Sequence, residues 1–359
     1  MNTETGRTVR FGVIGTGKIT EWFLHGAAQD KRFEAVAVCS RSIGRAREFA
    51  SKHGMQLAFD SPSEMASSPD IDAIYVATPN SEHARISMLC MSHGKHVLCE
   101  KPLASNAAEA RAMAECARRN GVLLMEAMIA TMNPNFDIVR DRIKDLGTIR
   151  RYFASYCQYS SRYDNLKRGI VANAFNPAYS TGALMDIGVY TIYPMVALFG
   201  RPTRVQASAT LLPTDVDGQG SVTFTYPDME ASVIYSKIAN SYLPSEIEGE
   251  SGSLVMDGIH TIRSITYIPR PEAKSGRGEI IERTEIGHPL TMDEYYYETR
   301  EFIDLILSGK TESCTNSLAT SITTLELMDE IRRQTGVIFP ADTMSARSVK
   351  NCGSGMEPD

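Results

Sequence analysis

The amino-acid sequence predicts an α/β fold, a doubly wound parallel sheet, followed by an α+β domain on a mostly antiparallel sheet with one open face. Three observations predict it. From residue 9 to residue 126, short β-branched or apolar runs alternate with segments of helical period, the pattern of a parallel sheet covered by helices. A glycine-rich turn stands where the first run ends and the first helical segment begins. After Met128 the pattern becomes alternating strands divided by turn signals such as Tyr226-Pro227-Asp228 and Gly249-Glu250-Ser251-Gly252. A chain of 359 residues exceeds one ordinary core. The expected divisions are 1–127, 128–344 and a frayed polar tail at 345–359.

In the first domain the strands are expected at 9–14, 34–39, 73–77, 96–99 and 122–126. Between them Ile19, Phe23 and Ala27 recur at helical spacing, as do Ala46, Phe49 and Ala50, then Ile86, Leu89 and Cys90, then Ala110, Met113 and Ala117. Each connection is long enough for a right-handed crossover. The first strand leads into Gly12-Val13-Ile14-Gly15-Thr16-Gly17-Lys18-Ile19-Thr20. There Gly15 allows a tight turn, and Gly17 lets backbone approach a pyrophosphate with no Cβ in the way. The helix that follows turns free N–H groups and its positive end toward that anion. Thr20 replaces the usual third glycine. With a strand before it, a helix after it and four more βα units, the turn marks a Rossmann domain for a dinucleotide.

At the end of the second strand an acidic residue would accept hydrogen bonds from the adenosine ribose of NAD and repel a 2′-phosphate. Here the sequence reads Cys39-Ser40-Arg41-Ser42. Ser40 can donate one hydrogen bond, and Arg41, with Arg45, can stack on adenine or pair with a phosphate. NADP is favoured, and NAD stays open.

Bulk properties narrow the function classes. Hydrophobic residues make up 43% and charged residues 22%, as in water-soluble globular chains. The net charge of −6, with both signs interspersed, offers no basic stripe for nucleic acid or anionic lipid. The seven cysteines are scattered with no Cys-x-x-Cys pair, which reads as reduced thiols. The polar start and the lack of a run of about 18 apolar residues make a cytoplasmic protein the expectation. No His/Cys/Asp cluster has metal spacing, so chemistry without a metal is expected.

Two further segments sit at carboxyl ends of parallel strands, the edge where open α/β sheets bind ligands: Ala77-Thr78-Pro79-Asn80-Ser81-Glu82-His83 and Glu100-Lys101-Pro102. Together with Gly182-Ala183-Leu184-Met185-Asp186-Ile187-Gly188-Val189-Tyr190, they resemble the glucose-fructose oxidoreductase, inositol dehydrogenase and rhizopine catabolism family, Gfo/Idh/MocA, over nearly the whole chain. The resemblance implies a nicotinamide-dependent oxidoreductase acting on a hydroxyl or carbonyl carbon of a sugar, polyol or dihydrodiol. It implies that Gly12, Gly15, Gly17 and Ile19, with Thr16 and Lys18 between them, form the pyrophosphate turn. It places Thr78, Pro79, Asn80 and His83 by the nicotinamide half, Glu100 and Lys101 in the cofactor-binding Glu-Lys-Pro signature, and Lys101 beside nicotinamide and substrate hydroxyl. Asp186 matches the aspartate of a motif whose later histidine is here Tyr190. That departure resembles the glucose-fructose oxidoreductase and dihydrodiol dehydrogenase branches and argues against an inositol dehydrogenase.

Hydride chemistry at an oxygen-bearing carbon needs a proton moved at that oxygen. Lys101 and Tyr190 are the expected pair: an ammonium near a phenol would favour phenolate, and Tyr190 would donate in the reductive direction while Lys101 polarises the substrate oxygen. Asp186, four residues before Tyr190 on one helical face, would orient a hydroxyl or the lysine. The loop 160–181, with Arg162, Asn173 and Asn176, is the expected specificity element. In the second domain a helix is expected at 134–145, with strands at 149–159, 204–212, 220–226 and 230–238 and more from 246 to 268. An open sheet face would need a partner, so a homodimer or homotetramer through it is expected. A glycosidase-type hydrolase or lyase using NAD transiently, or a non-catalytic nucleotide-binding protein, are the rival readings.

Overall fold

The computed structural model describes residues 6–271 and 282–343; the tail at 345–359 lies outside the described residues. In chain order the first part is β1 (Val9–Ile14), α1 (Lys18–Ala27), β2 (Phe33–Cys39), α2 (Ile43–His53), β3 (Leu57–Phe59), α3 (Pro62–Ser67), β4 (Ala73–Val76), α4 (Asn80–Ser92), β5 (His96–Glu100), α5 (Ala107–Asn120) and β6 (Leu124–Ala127). The six strands form one parallel sheet in the order β3-β2-β1-β4-β5-β6. The order reverses between β1 and β4, so the crevice for a ligand opens at their carboxyl ends. The five expected strands are present to within a residue or two. The pair β3 and α3 was not foreseen, because Leu57–Phe59 spans three half-buried residues, too few to show a period.

The helices stop where their chemistry says they should. Asn106 accepts from the Glu109 N–H at the start of α5, and Glu109 in return accepts from Ser105 N–H. Gly54 and Gly121 end α2 and α5 in the left-handed conformation. One face of the sheet packs Phe11 of β1 against Phe23 of α1 and Phe33 of β2, with the Phe23 ring stacked on Tyr75 at 3.7 Å.

The second part runs through α6 (Ile129–Met132), α7 (Pro134–Arg142), β7 (Ile149–Cys157), α8 (Ser161–Lys167), α9 (Val189–Phe199), β8 (Arg204–Leu211), β9 (Asp217–Thr225), β10 (Glu230–Ser236), β11 (Ser245–Gly249), β12 (Gly252–Met256), β13 (Ile265–Pro269), β14 (Thr284–Glu285), α10 (Glu294–Leu307) and α11 (Leu318–Thr335). Its strands form one sheet in the order β14-β13-β12-β11-β7-β10-β9-β8. β7 and β10 pair in parallel, and the remaining neighbours are antiparallel. Inward residues such as Tyr152, Ala154, Val222, Phe224, Ala231, Val233, Ile247 and Leu254 are buried. The outward face alternates Ser221, Thr223, Ser232, Glu246, Glu248 and Ser253 with Phe153, Ile234 and Val255. It is thus more polar than the apolar open face the sequence suggests, because serine, threonine and glutamate hold most of the outward positions.

α10 follows the second sheet in sequence and yet packs on the first, where Phe302, Ile303 and Leu305 join the cluster of Phe11 and Phe23. Helix α9 continues through Pro194 to Phe199. Among the described residues, Pro177–Phe199 is the one helical stretch long and apolar enough to cross a bilayer; 72% of its most apolar window is buried in the molecule. It is a core helix.

Glu126, next to the last residue of β6, is 1% exposed. One carboxylate oxygen accepts from Leu103 N–H at 2.9 Å. Burial, opposed only in part by Ser321 and Leu103 N–H, pushes its carboxyl from 4.5 up to about 7. The folded chain therefore holds this proton more tightly than the unfolded one. The stability it contributes is full below the unfolded value and is lost as pH rises through about 7. Glu126→Gln keeps the acceptor and removes the buried charge. Urea unfolding at pH 8 is expected to show a gain of about 3 kcal/mol over wild type, and less than about 1 kcal/mol at pH 5.

Candidate active site

At the carboxyl edge of the first sheet, Gly15 turns the chain with φ +118, and a Cβ there would lie 2.3 Å from the carbonyl oxygen of Ala77. Only glycine fits. Gly17 is different: it precedes α1 in extended conformation, no side chain caps the helix, and a Cβ built on it meets nothing within 4 Å. An uncapped helix start beside open space is what a pyrophosphate needs, so these residues fit a dinucleotide. Thr16 and the exposed Lys18 flank that opening, and Ile19 lines the cleft beyond it. Gly12 does not belong to the turn. It lies in β1, where a Cβ would strike Met65 of α3, so its absent side chain serves helix packing. Ser40 is 9% exposed with its N–H bonded to Phe59 O, and Arg41 is exposed with no ion pair among the described residues.

The loop after β4 is tied from behind. His83 is 1% exposed, with Nδ1 2.9 Å from Pro102 O and Nε2 2.9 Å from Thr78 O. Burial pushes its pKa down, against the pull of both carbonyls. It is a strut joining the loop of Thr78 and Pro79 to that of Lys101, and it does not line the cleft. Asn80 likewise spends its amide on Ser180 O at 2.8 Å, linking the first domain to the loop before Asp186. The sequence placed both at the cofactor. Their ring and amide are committed to neighbouring backbone instead.

The cleft, of about 620 Å³, is lined by Glu100, Lys101, Asp186 and Tyr190, as expected, and by Tyr156, Gln158, Lys237, His260, Arg263 and Tyr295, which the sequence did not suggest. Glu100 is 8% exposed, accepts from the Tyr75 hydroxyl and Lys101 N–H, and is pushed up by burial. Lys101 Nζ donates to Asp186 O at 2.9 Å and lies 3.4 Å from Asp186 Oδ1. The same ammonium sits 4.9 Å from the centre of the Tyr190 ring. Lys101 and Tyr190, from the two domains, therefore meet as expected.

Their electrostatics differ from the expectation. Lys101 faces the ring of Tyr190, and burial together with Glu100 and Tyr156 drives the phenol well above its ordinary value. Burial also pushes Lys101 down, against Glu100. Tyr190 thus stays protonated, and the amine is the group brought nearer to working pH. Tyr156 and His260 stack at 4.1 Å and stand edge-on to Tyr190.

Asp186 sits in a π-helical turn, Leu184–Gly188, that precedes α9. A local cause is visible. Gly182, at φ +145, leaves room for the buried carboxylate of Asp217, which accepts from Leu184 N–H at 2.6 Å. A wider turn there presents Asp186 and Tyr190 to one cleft.

The loop 160–181 is less of a specificity element than its composition suggests. Asn176 caps Ala178 N–H with its side chain, Asn173 is exposed, and neither lines the cleft. Arg162 is exposed and off the lining too, though its charge acts on Lys237. Ser160, at the start of that loop, does line it.

Residues 9–128 match the family model described as Oxidoreductase family, NAD-binding Rossmann fold, of Gfo/Idh/MocA, and residues 139–255 match the Gfo/Idh/MocA C-terminal domain. Scyllo-inositol 2-dehydrogenase (NADP(+)) IolU of Bacillus subtilis is 47% identical over 93% of this chain and 99% of its own length. The chain belongs to the Gfo/Idh/MocA oxidoreductase family. Trans-1,2-dihydrobenzene-1,2-diol dehydrogenase of Danio rerio is 30% identical over 93% of this chain and 99% of the relative. Among solved structures, a 3-ketoreductase from Actinomadura kijaniata in complex with NADP and TDP-benzene superposes with a TM-score of 0.79 at 24% identity, covering 92% of this chain and 98% of that one. That likeness shows the fold. A relative nearly half identical is named for an inositol, a substrate class that the reading of Tyr190 argues against.

Proposed function

We propose that this chain is an NADP-dependent dehydrogenase of polyhydroxylated small molecules, inositol-like polyols foremost, with sugars and dihydrodiols as the related classes. The observation that carries it is the meeting of Lys101, Asp186 and Tyr190 at one cleft beside a fitted dinucleotide turn. Gly15, Gly17 and the start of α1 would hold the pyrophosphate, with Ser40 and Arg41 at the adenosine 2′-phosphate. When bound, the nicotinamide supplies the hydride acceptor or donor. The chain's own residues handle the proton. Tyr190, kept neutral, donates a hydrogen bond to the substrate oxygen, and Lys101, lowered by burial, takes or returns the proton at that oxygen. Asp186 fixes the lysine.

The test is a panel of inositols, aldoses, ketoses and dihydrodiols, each with NADP and NAD. Lasting accumulation of NADPH supports the reading. A glycoside cleaved with no net change in nicotinamide absorbance would support a transient-oxidation hydrolase instead. Arg41 has no competing ion pair among the described residues, so Arg41→Ala is expected to raise the KM for NADP about 10-fold and leave that for NAD within about 2-fold. Equal effects on both would remove Arg41 from the 2′-phosphate. A cytoplasmic homodimer or homotetramer through the uncovered sheet face belongs to the same reading; sedimentation with Phe153→Glu, which should dissociate it, tests the interface.

A further inference from the structure

Lys237 follows β10, one residue beyond Ser236, and its side chain is 7% exposed. It reaches the cleft because β7 and β10 are parallel: Gln158 N–H bonds Ser236 O, Ser160 N–H bonds Lys237 O, and Lys237 N–H bonds Gly218 O. The strand end is thereby fixed on three sides. Its ammonium contacts Asp186 Oδ2, while Lys101 lies at Oδ1 of the same carboxylate, and it stands 5.8 Å from the Phe175 ring centre. One carboxylate thus lies between two ammonium groups from different domains.

A lysine ammonium has three donors. Lys101 directs two at Asp186, to its carbonyl and its carboxylate, which leaves one for a reacting oxygen. Lys237 gives one to Asp186 and has the rest available in the cleft it lines. Buried ammonium donors without acceptors are costly. A ligand presenting two oxygens on adjacent carbons satisfies both.

We propose that Lys237 is a second substrate-binding cation, holding the oxygen on the carbon next to the reacting one, so that vicinal diols and α-hydroxy ketones are selected over simple alcohols. The proposal deepens the polyol dehydrogenase reading and rests on it. Burial, with Lys101 and Arg162 nearby, pushes Lys237 down to about 7.

The test uses NADPH-loaded protein, in which alcohols bind without reacting. Calorimetry measures scyllo-inositol and cyclohexanol as probes, and NADP turnover is measured alongside. Lys237→Met is expected to weaken scyllo-inositol about 30-fold in Kd and KM, with kcat within about 3-fold and cyclohexanol binding unchanged; Lys237→Arg recovers most of the loss. NADPH affinity, read by fluorescence, serves as the check on folding. Equal losses for both probes, or a loss in kcat alone, would show that Lys237 only anchors Asp186 and would overturn the proposal. So would wild-type affinity in Lys237→Met. Wild-type protein that neither binds nor oxidises any polyol brings down the broader reading and this one with it, a result distinct from a polyol-binding wild type matched by its variant.

Discussion

Lys101→Met lowers kcat by about three orders of magnitude or more, whereas Tyr190→Phe lowers it by about 10- to 100-fold. The inequality follows from the cleft's electrostatics. Both groups begin with high proton affinities, and burial acts on them in opposite directions: the charged form is disfavoured, so the ammonium loses its proton more easily and the phenol less easily. The buried carboxyls of Glu100 and Glu298 push the phenol further up, and Glu100 restrains the fall of the lysine only partly. Proton exchange at the substrate oxygen then falls to Lys101, and Tyr190 contributes one neutral hydrogen bond. In the oxidative direction kcat rises with pH as Lys101 becomes the free amine. That rise is present in Tyr190→Phe and absent in Lys101→Met. Stopped-flow kinetics over pH 6–10, with NADPH affinity measured in parallel, separates chemistry from binding. If Tyr190→Phe proves the more damaging and carries away the pH dependence, the roles are reversed, and the phenol is the acid the sequence first suggests.

Which parts of this site the sequence exposes depends on how local their causes are. Gly15 and Gly17 are legible because turn, strand end and helix start are all written within nine residues, and Glu100 and Lys101 because they end a parallel strand. Asp186 and Tyr190 share a face as their spacing implies, but the π-helical turn under them is set by Asp217, some thirty residues away, and could not be read locally. Lys237 carries a sequence signal of its own. It continues the inward series Ala231, Val233 and Tyr235, and a lysine at an inward strand position needs a buried partner. His260 and Tyr156 come together only when β7 is paired and the segment after β12 folds over it, a tertiary event without local pattern. Conversely Asn80, Asn176 and His83 have the right chemistry for ligands and are occupied by backbone. Composition cannot show which polar side chains are already satisfied. The same holds for α10: Phe302 closes a core begun by Phe11, nearly three hundred residues earlier.

The two turn glycines give a contrast that tests the cofactor site independently of catalysis. Gly17→Val is expected to weaken NADPH binding at least about 100-fold while leaving the unfolding free energy within about 1 kcal/mol of wild type. Gly17 has φ −87 and ψ 175, an ordinary extended conformation for valine, and its Cβ would meet no protein atom. The side chain can therefore harm only what occupies the open space in front of α1. Gly15→Ala is expected to do the reverse. A Cβ at 2.3 Å from the Ala77 carbonyl, on a backbone at φ +118, must displace the β1–β4 edge itself, so this variant loses several kcal/mol of stability, about 3 or more, before any ligand is added. Fluorescence titration with NADPH and urea unfolding on the same preparations distinguish the two. A Gly17→Val protein that binds NADPH as wild type does would mean that the dinucleotide does not approach the backbone there, and the turn would be a packing device like Gly12.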